Sequence, residues 1–305
     1  LDRALTAKNE MMARRDRSGI PTVYIKARMN DEGMLPLTVW DDKLYSSTEY
    51  GANLLKKMFN AQYFDYPKSL YAVIDSLKIG DLDKDSYVLD FFSGSATTAH
   101  AVMQLNAEDG GKRKYLCVQL PEKTDINSEA YKAGYKTIPE IAKERIRRAG
   151  KKIKEESGLQ GQNLDTGFRV FRLDESNMEE VYFAPKEYKQ EQLDLLLDNV
   201  KSDRNDLDLL FGAMLDWGVQ LSLPMTTEVV DGKTIYSVNG GDLVACFADN
   251  VTENVVRTIA DKQPLRILFR DSCFERDDAK INIFESLKQQ LDWSEEEAMK
   301  SIKVI

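Results

Sequence analysis

Apolar and polar positions along the 305 residues follow no clean rhythm at first and then settle into an alternation of helices and strands. LDRALTAKNEMMARRDRSG reads as a polar helix with little to pack against, TVYIKARM as a short extended piece, and LPLTVWDD, with its Pro and Trp, as an irregular connection. From about residue 51 the pattern is regular. LLKKMF gives a turn or two of helix, and FDYPKSLYAVIDSLKIG a helix with Pro67 at its start and Leu70, Val73, Ile74 and Leu77 at helical spacing. Tyr87, Val88 and Leu89 have no polar residue alternating with them, which predicts a strand buried on both faces, with Asp90 at its carboxyl end. Ser93, Gly94, Ser95 and Ala96 are small enough for a sharp turn, and Ala96 to Ala107 suits a helix. A turn at EDGG, the strand RKYLCVQL and the long amphipathic helix IPEIAKERIRRAGKKIKEESG, with Pro139 near its N-terminus, complete this part. Helix, strand, helix, strand, helix predicts a parallel sheet with crossover helices.

Beyond GLQGQNLDTG a second unit begins. FRVFRLD alternates as a strand, KEYKQEQLDLLLDNV and NDLDLLFGAMLDWGVQL read as helices, and TEVVDGKTIYSV carries Asp231-Gly232 between two strand-like runs, a strong hairpin signal. DLVACFA and LRILFRD are apolar strands around the helix TENVVRTIADK, and INIFESLKQQL closes as a helix. The fold class is α/β throughout, divided as a connection over 1–50, one α/β domain over 51–157 and a second over 158–305.

Composition narrows the function. A hydrophobic content of 42% can build ordinary cores, and a net charge of −9 argues against a uniformly basic coat of the kind that grips nucleic acid everywhere. Residues 1–30 run against this balance: seven Lys or Arg (Arg3, Lys8, Arg14, Arg15, Arg17, Lys26, Arg28) face three acids. That run either touches phosphates or is a solvated face. Cys117, Cys246 and Cys273 lie far apart among apolar residues and read as core side chains rather than as a metal set. His100, the only histidine, cannot supply a zinc site by itself or a catalytic triad, and on the helix after the loop reads as a packing or surface residue rather than a catalytic base. Neither a membrane-crossing run nor a charged-then-apolar leader is legible, so a cytoplasmic location is expected, and the opening at Leu1 suggests a piece of a longer protein.

The chemistry concentrates in YVLDFFSGSATTAH. A strand end, a tight loop and a helix N-terminus form the junction where open α/β sheets bind cofactors. The dinucleotide fingerprint is absent, since only Gly94 survives of its glycines, and this disfavours a nucleotide-dependent oxidoreductase. Asp90 can hold an ammonium or a hydroxyl, Phe91 and Phe92 can wall a purine or a sulfonium, and Thr97 and Thr98 place hydroxyls in the first helical turn. The plainer alternatives are a capping acid for Asp90 and a piece of core for the two phenylalanines.

DFFSGSATTAHAVMQLNAEDGGKRKYLCVQLPEKTD resembles the S-adenosylmethionine-binding motif of amino-group DNA methyltransferases, and closely that of the modification subunits of type III restriction-modification systems. FDYPKSLYAVIDSL is similar to the motif preceding it in the class whose catalytic motif lies nearer the N-terminus, and GFRVFRLDESN and FRDSCFERDDAKINIFESLKQQL are similar to the C-terminal region of those subunits. The resemblance implies the C-terminal half of a Rossmann-like methyltransferase sheet, followed by a second α/β domain. It implies S-adenosylmethionine as cofactor, held by Asp90, Phe91, Phe92, Gly94, Ser95 and Thr97, with Lys68 at its carboxylate end and Gln119, or Glu122 nearby, at the ribose. Ala96 stands where the family usually has a second glycine, and Gln119 where many relatives carry an acid, so weaker affinity is expected. No Pro-Pro pair occurs in these residues, so the Asp-Pro-Pro-Tyr-type catalytic motif is not among them. The resemblance further implies adenine-N6 methylation of DNA by the full-length protein, a homodimer of modification subunits and an ATP-dependent restriction subunit as partner. The alternative is a non-catalytic interaction module serving dimerisation or docking of the restriction subunit.

Overall fold

The computed structural model describes residues 11–15, 18–25, 36–179 and 199–305. Chain contacts divide the protein into Leu1–Phe168 and Arg169–Ile305. Both units are mixed α/β.

The first unit opens on a hairpin of β1 (Met11–Arg15) and β2 (Pro21–Ile25), paired antiparallel from Met11↔Ile25 to Arg15↔Pro21. Over residues 11–15 this corrects the polar helix expected over 1–19, since MMARR pairs with PTVYI, with Gly19 at φ +79° ahead of the second strand; residues 1–10, 16 and 17 lie outside the described residues. Arg3, Lys8, Arg17, Lys26 and Arg28 of the basic run lie outside the described residues. Helix α1 (Leu54–Phe59) ends at a left-handed Asn60, and α2 (Leu70–Ile79) buries Leu70 and Ile74. Pro67 does not start α2. Ser69 caps it, accepting from the Ala72 N–H at 3.5 Å and donating to the Leu44 carbonyl at 2.7 Å. β3 (Tyr87–Asp90), α3 (Thr97–Asp109) and β4 (Lys114–Cys117) form a βαβ unit with the strands parallel, register Tyr87↔Lys114 to Asp90↔Cys117. Helix α4 (Ile138–Glu156) follows, with Pro139 in its first turn and the Glu140 carboxylate reaching back to the Thr137 N–H at 3.0 Å. Ala96, Ala99 and Met103 pack against Ala142, Ile146, Ala149 and Ile153, with Tyr115 and Cys117 of β4 beneath them.

That layer covers only one face of the β3–β4 pair. Val88 is buried, but Leu89 is 57% and Leu116 49% exposed, and Tyr87, Val118 and Leu120 are exposed with them. The expectation of burial on both faces fails here because the described sheet has two strands and one helical layer.

The second unit is a five-stranded sheet in sequence order: β5 (Met225–Val230), β6 (Lys233–Val238), β7 (Leu243–Cys246), β8 (Ile267–Phe269) and β9 (Ile302–Val304). The first three strands are antiparallel and the last three parallel. Asp231 and Gly232, both at positive φ, make the hairpin turn. Helix α5 (Asp206–Asp216) covers one face against Val238, Leu243, Ala245 and Leu268. Helices α6 (Glu253–Asp261) and α7 (Asp277–Gln290) cover the other against Ile235, Val244, Cys246, Ile267 and Phe269, and α8 (Glu295–Ser301) leads into β9. FRVFRLD forms no strand. It runs unpaired, with the Arg169 guanidinium donating to the Leu221 and Leu223 carbonyls and Phe171 edge-on to Phe211. Most of the helix expected over KEYKQEQLDLLLDNV lies outside the described residues.

Candidate cofactor loop

β3 delivers Asp90 to the loop and α3 leaves from it, so the site is the turn Phe91–Ala96. The turn is stitched to the chain leaving β4. The Val118 N–H donates to the Asp90 carbonyl at 2.8 Å, the Ser93 N–H to the Val118 carbonyl at 3.1 Å, and the Gly94 N–H to Gln119 Oε1 at 2.7 Å. Gln119 therefore stands beside the loop and spends its carbonyl oxygen on it. Glu122, further along, is exposed.

Two positions in the turn are left-handed: Gly94 (φ +48°) and Ala96 (φ +58°). The helix starts at Thr97, with Ala96 as its cap. A left-handed conformation costs an L-residue about 1–2 kcal/mol that glycine does not incur. The geometry thus gives a backbone reason for glycine at position 96, where this chain holds alanine.

The Asp90 carboxylate is tied from both sides, accepting from the Phe92 N–H at 3.2 Å and from the Thr98 hydroxyl at 2.5 Å, and remains partly exposed. Phe91 and Phe92 are not core: they are 63% and 77% exposed, their rings 6.5 Å apart. The hydroxyls of Ser95 and Thr97 turn the other way. Both residues are buried, and their hydroxyls accept from Arg145 Nη1, at 2.8 Å and 2.7 Å. Phe64 borders the loop, since a Cβ built on Gly94 would stand 3.3 Å from its ring. Lys68 lies four residues further on, exposed. The backbone carrying it is wedged against Gly51, where a Cβ would meet the Pro67 carbonyl oxygen at 2.3 Å.

Behind the loop, His100 is buried and held neutral: burial, then the charges of Arg145 and Lys152, press its pKa down to about 3. Burial, then the charge of Asp90, pushes the Cys117 thiol up to about 12, which makes it inert. Arg145 is the residue that sequence reasoning missed. It was legible as a position in the apolar stripe of α4, four residues after Ile141 and four before Ala149, but the cations of ERIRRAGKKIK read together as groups that either reach DNA or neutralise the helix C-terminus. The other cations of that run do stay outside: Arg148 pairs with Glu144 at 2.7 Å, and Lys151 and Lys152 face Glu155 and Glu156. Among the described residues no cluster of His, Cys, Asp or Glu could hold a metal ion, and no helix is long and apolar enough to cross a membrane.

No family model matches the chain. It is 38% identical over 168 residues to the StyLTI Mod subunit, a type III restriction-modification enzyme of Salmonella typhimurium, covering 55% of this chain and 25% of that protein. It is 43% identical over 117 residues to the EcoPI Mod subunit of Escherichia phage P1, covering 38% of this chain and 18% of the relative. Over such stretches this chain is a homologue of type III modification subunits. Outside the type III subunits, the type II methyltransferase M.KpnI of Klebsiella pneumoniae is 34% identical over 125 residues, 41% of this chain and 30% of the relative. The homology to modification subunits is thus partial, and the matched stretches make up less than a third of each of these relatives.

Proposed function

We propose that this chain carries the S-adenosylmethionine-holding part of a site-specific DNA methyltransferase, the modification subunit of a type III restriction-modification system, and that the complete protein methylates adenine N6. The observation that carries the reading is the turn itself: a parallel strand ends in a tethered acid, two phenylalanines stand out of the core, and a left-handed turn opens a helix. Its residues fit a zwitterionic purine nucleoside. Phe91 and Phe92 offer exposed rings for a purine, Asp90 offers an oriented carboxylate for an ammonium or a hydroxyl, and the Gln119 amide nitrogen stands within the loop's reach for a ribose.

When bound, S-adenosylmethionine supplies an activated methyl group, so the protein's share is orientation and electrostatics. Asp90, fixed by Thr98 and the Phe92 amide, orients the ligand, and the aromatic pair keeps water from its face. The amino-group acceptor needs a base turned out of its stack and an Asp-Pro-Pro-Tyr-type motif to receive it. These 305 residues contain no Pro-Pro pair, so they transfer no methyl group alone. The exposed apolar face of β3–β4 supports the same reading, because parallel strands are ordinarily covered on both sides and the rest of the catalytic domain would supply the second cover. In the complete protein the partners are DNA, a second modification subunit and an ATP-dependent restriction subunit, in the cytoplasm.

Calorimetric titration of the chain with S-adenosylmethionine, with Asp90→Ala alongside, tests this. Saturable binding that weakens about tenfold or more in the variant is expected, as for loss of a charge-assisted hydrogen bond, with no label transferred to DNA. Equal binding by both proteins would remove Asp90 from the site, and methylated DNA would overturn the division of labour.

A further inference from the structure

The turn after β3 is held from two directions. Its first half is tied to the chain leaving β4, through Ser93 and Gly94. Its second half is tied to α4 by Arg145, whose Nη1 donates to the Ser95 hydroxyl at 2.8 Å, the Thr97 hydroxyl at 2.7 Å and the Ser95 carbonyl at 3.4 Å. These acceptors bracket Ala96. That residue lies left-handed at φ +58°, donates its N–H to the Ser93 carbonyl at 2.7 Å and accepts from the His100 N–H at 3.3 Å.

Each member of this arrangement is costly by itself. Alanine in the left-handed region carries a strain that glycine does not. Arg145 is the largest wholly buried side chain described, its Nε and Nη2 are buried without a hydrogen-bond partner, and among the described residues no carboxylate pairs with it. Burial draws its pKa down to about 10, so it keeps its charge at neutral pH. An apolar side chain of similar length would fill the space in α4 without burying an unpaired cation. What the guanidinium adds is a charged donor fixed to the residues on both sides of Ala96. The effect reaches the site through Thr98. Its hydroxyl donates to the Asp90 carboxylate at 2.5 Å, so the direction in which α3 leaves the turn sets the orientation of that carboxylate.

We infer that Arg145 is a positioning residue that holds Ala96 left-handed, supplying by hydrogen bonds what a glycine would supply by conformational freedom, and thereby sets Thr98 against Asp90. On the reading given under Proposed function, the group so positioned is the carboxylate that orients the cofactor. The clamp itself needs no ligand at the turn, where Ser95, Ala96 and Thr97 are all buried. An arginine that merely filled the core would behave in the opposite way. Ala96→Gly removes a buried methyl from the layer between α3 and α4, so for a space-filling arginine the two losses would add or compound. For a clamp, the loss from Arg145→Met shrinks once the turn no longer has to be held.

The test is a double-mutant cycle: affinity for S-adenosylmethionine is measured by calorimetry on the whole chain, Arg145→Met, Ala96→Gly and the two combined. Arg145→Met is expected to weaken binding roughly 5- to 30-fold in the unaltered chain, the left-handed cost expressed as a ratio, and about threefold or less in the chain carrying Ala96→Gly. Equal losses in both backgrounds, a larger loss with Ala96→Gly, or no loss in the unaltered chain would overturn the inference. Should Arg145→Met not fold, Arg145→Lys and Arg145→Gln enter the same cycle. The lysine, which keeps a charged donor, is expected to lose less than the glutamine in the unaltered chain, and a difference that persists with Ala96→Gly counts against the clamp. A second arm separates this inference from the cofactor reading: exchange of the His100 amide, bonded to Ala96, is followed without ligand. If S-adenosylmethionine binds none of the proteins, the cofactor reading fails and the clamp is judged by exchange. It stands if Arg145→Met speeds exchange by the same 5- to 30-fold in the unaltered chain alone, and falls if the effect is equal in both backgrounds or missing from both.

Discussion

The parallel strands of the two units read alike in sequence and end differently in space. In the second unit Leu243, Val244, Ala245 and Cys246 of β7 and Ile267, Leu268 and Phe269 of β8 are wholly buried, because α5 packs on one face and α6 and α7 on the other. In the first unit YVLD and KYLC each carry one charge at an end, and their apolar Leu89 and Leu116 stand half exposed opposite the α3–α4 layer. An apolar run specifies how many faces a strand can bury, and the presence of covering elements decides how many it does. The open face sits beside the loop that carries Asp90, Phe91 and Phe92, so the unit with the incomplete core is the one with the candidate chemistry.

Substitutions should separate the two regions most strongly in their cores. Phe269→Ala, in the doubly covered sheet, is expected to cost about 3–5 kcal/mol, read from urea unfolding followed by Trp217 and Trp293 fluorescence. Leu89→Ala, on the open face, should stay within about 0.5 kcal/mol. A cost for Leu89→Ala near that of Phe269→Ala would mean that the face is covered.

Acidity should separate them next. His100 is the only histidine, and its pKa falls from 6.5 to about 3 on folding. Between those values the unfolded chain binds a proton that the folded chain refuses. The stability of the first unit is therefore complete above pH 6.5 and declines as pH falls below it, by at most about 1.4 kcal/mol per pH unit. Amide exchange of α3, corrected for intrinsic rates, should follow this slope and lose it in His100→Gln, while the second unit, lacking histidine, shows none from this source. An unchanged slope in His100→Gln would place the titrating group elsewhere.

The turn offers a smaller effect of opposite sign. Ala96→Gly relieves left-handed backbone strain but gives up a buried methyl and adds freedom to the unfolded chain, so the net is a gain of about 0.5 kcal/mol. Thermal unfolding checks it, and a loss above about 1 kcal/mol would show that the methyl's packing outweighs the strain. Least of all in stability, Leu89→Ser with Leu116→Ser should leave the melting temperature nearly unchanged while lowering binding of a hydrophobic dye, since the pair lies on an exposed apolar patch. Undiminished dye binding would move the patch elsewhere.

Local signals in the sequence carried most of the fold. Asp231-Gly232 between two strand-like runs could only be a tight hairpin, and the apolar spacing of Leu70, Ile74 and Leu77 fixed a helix face. The strand, loop and helix around Asp90 were legible for the same reason. Features set by distant partners were not. FRVFRLD alternates like a strand but has no ladder to join, and MMARR becomes a strand only because PTVYI returns beside it. The left-handed Ala96 carries no glycine to announce it. Arg145 hides among surface cations because its burial depends on α3 packing against α4, and its hydrogen bonds reach back some fifty residues. Ser95 and Thr97 looked free to serve a ligand, and the same arginine turns their hydroxyls inward.

Hydrogen–deuterium exchange of the whole chain with and without saturating S-adenosylmethionine compares the two regions in one measurement. The expected result is slowed exchange confined to residues 90–100 and the segment after β4 that holds Gln119, with the five-stranded sheet unchanged and the protection lost in Asp90→Ala. Protection in residues 169–305 with none at the loop, or loop protection that survives Asp90→Ala, would contradict the assignment of the cofactor to the turn after β3.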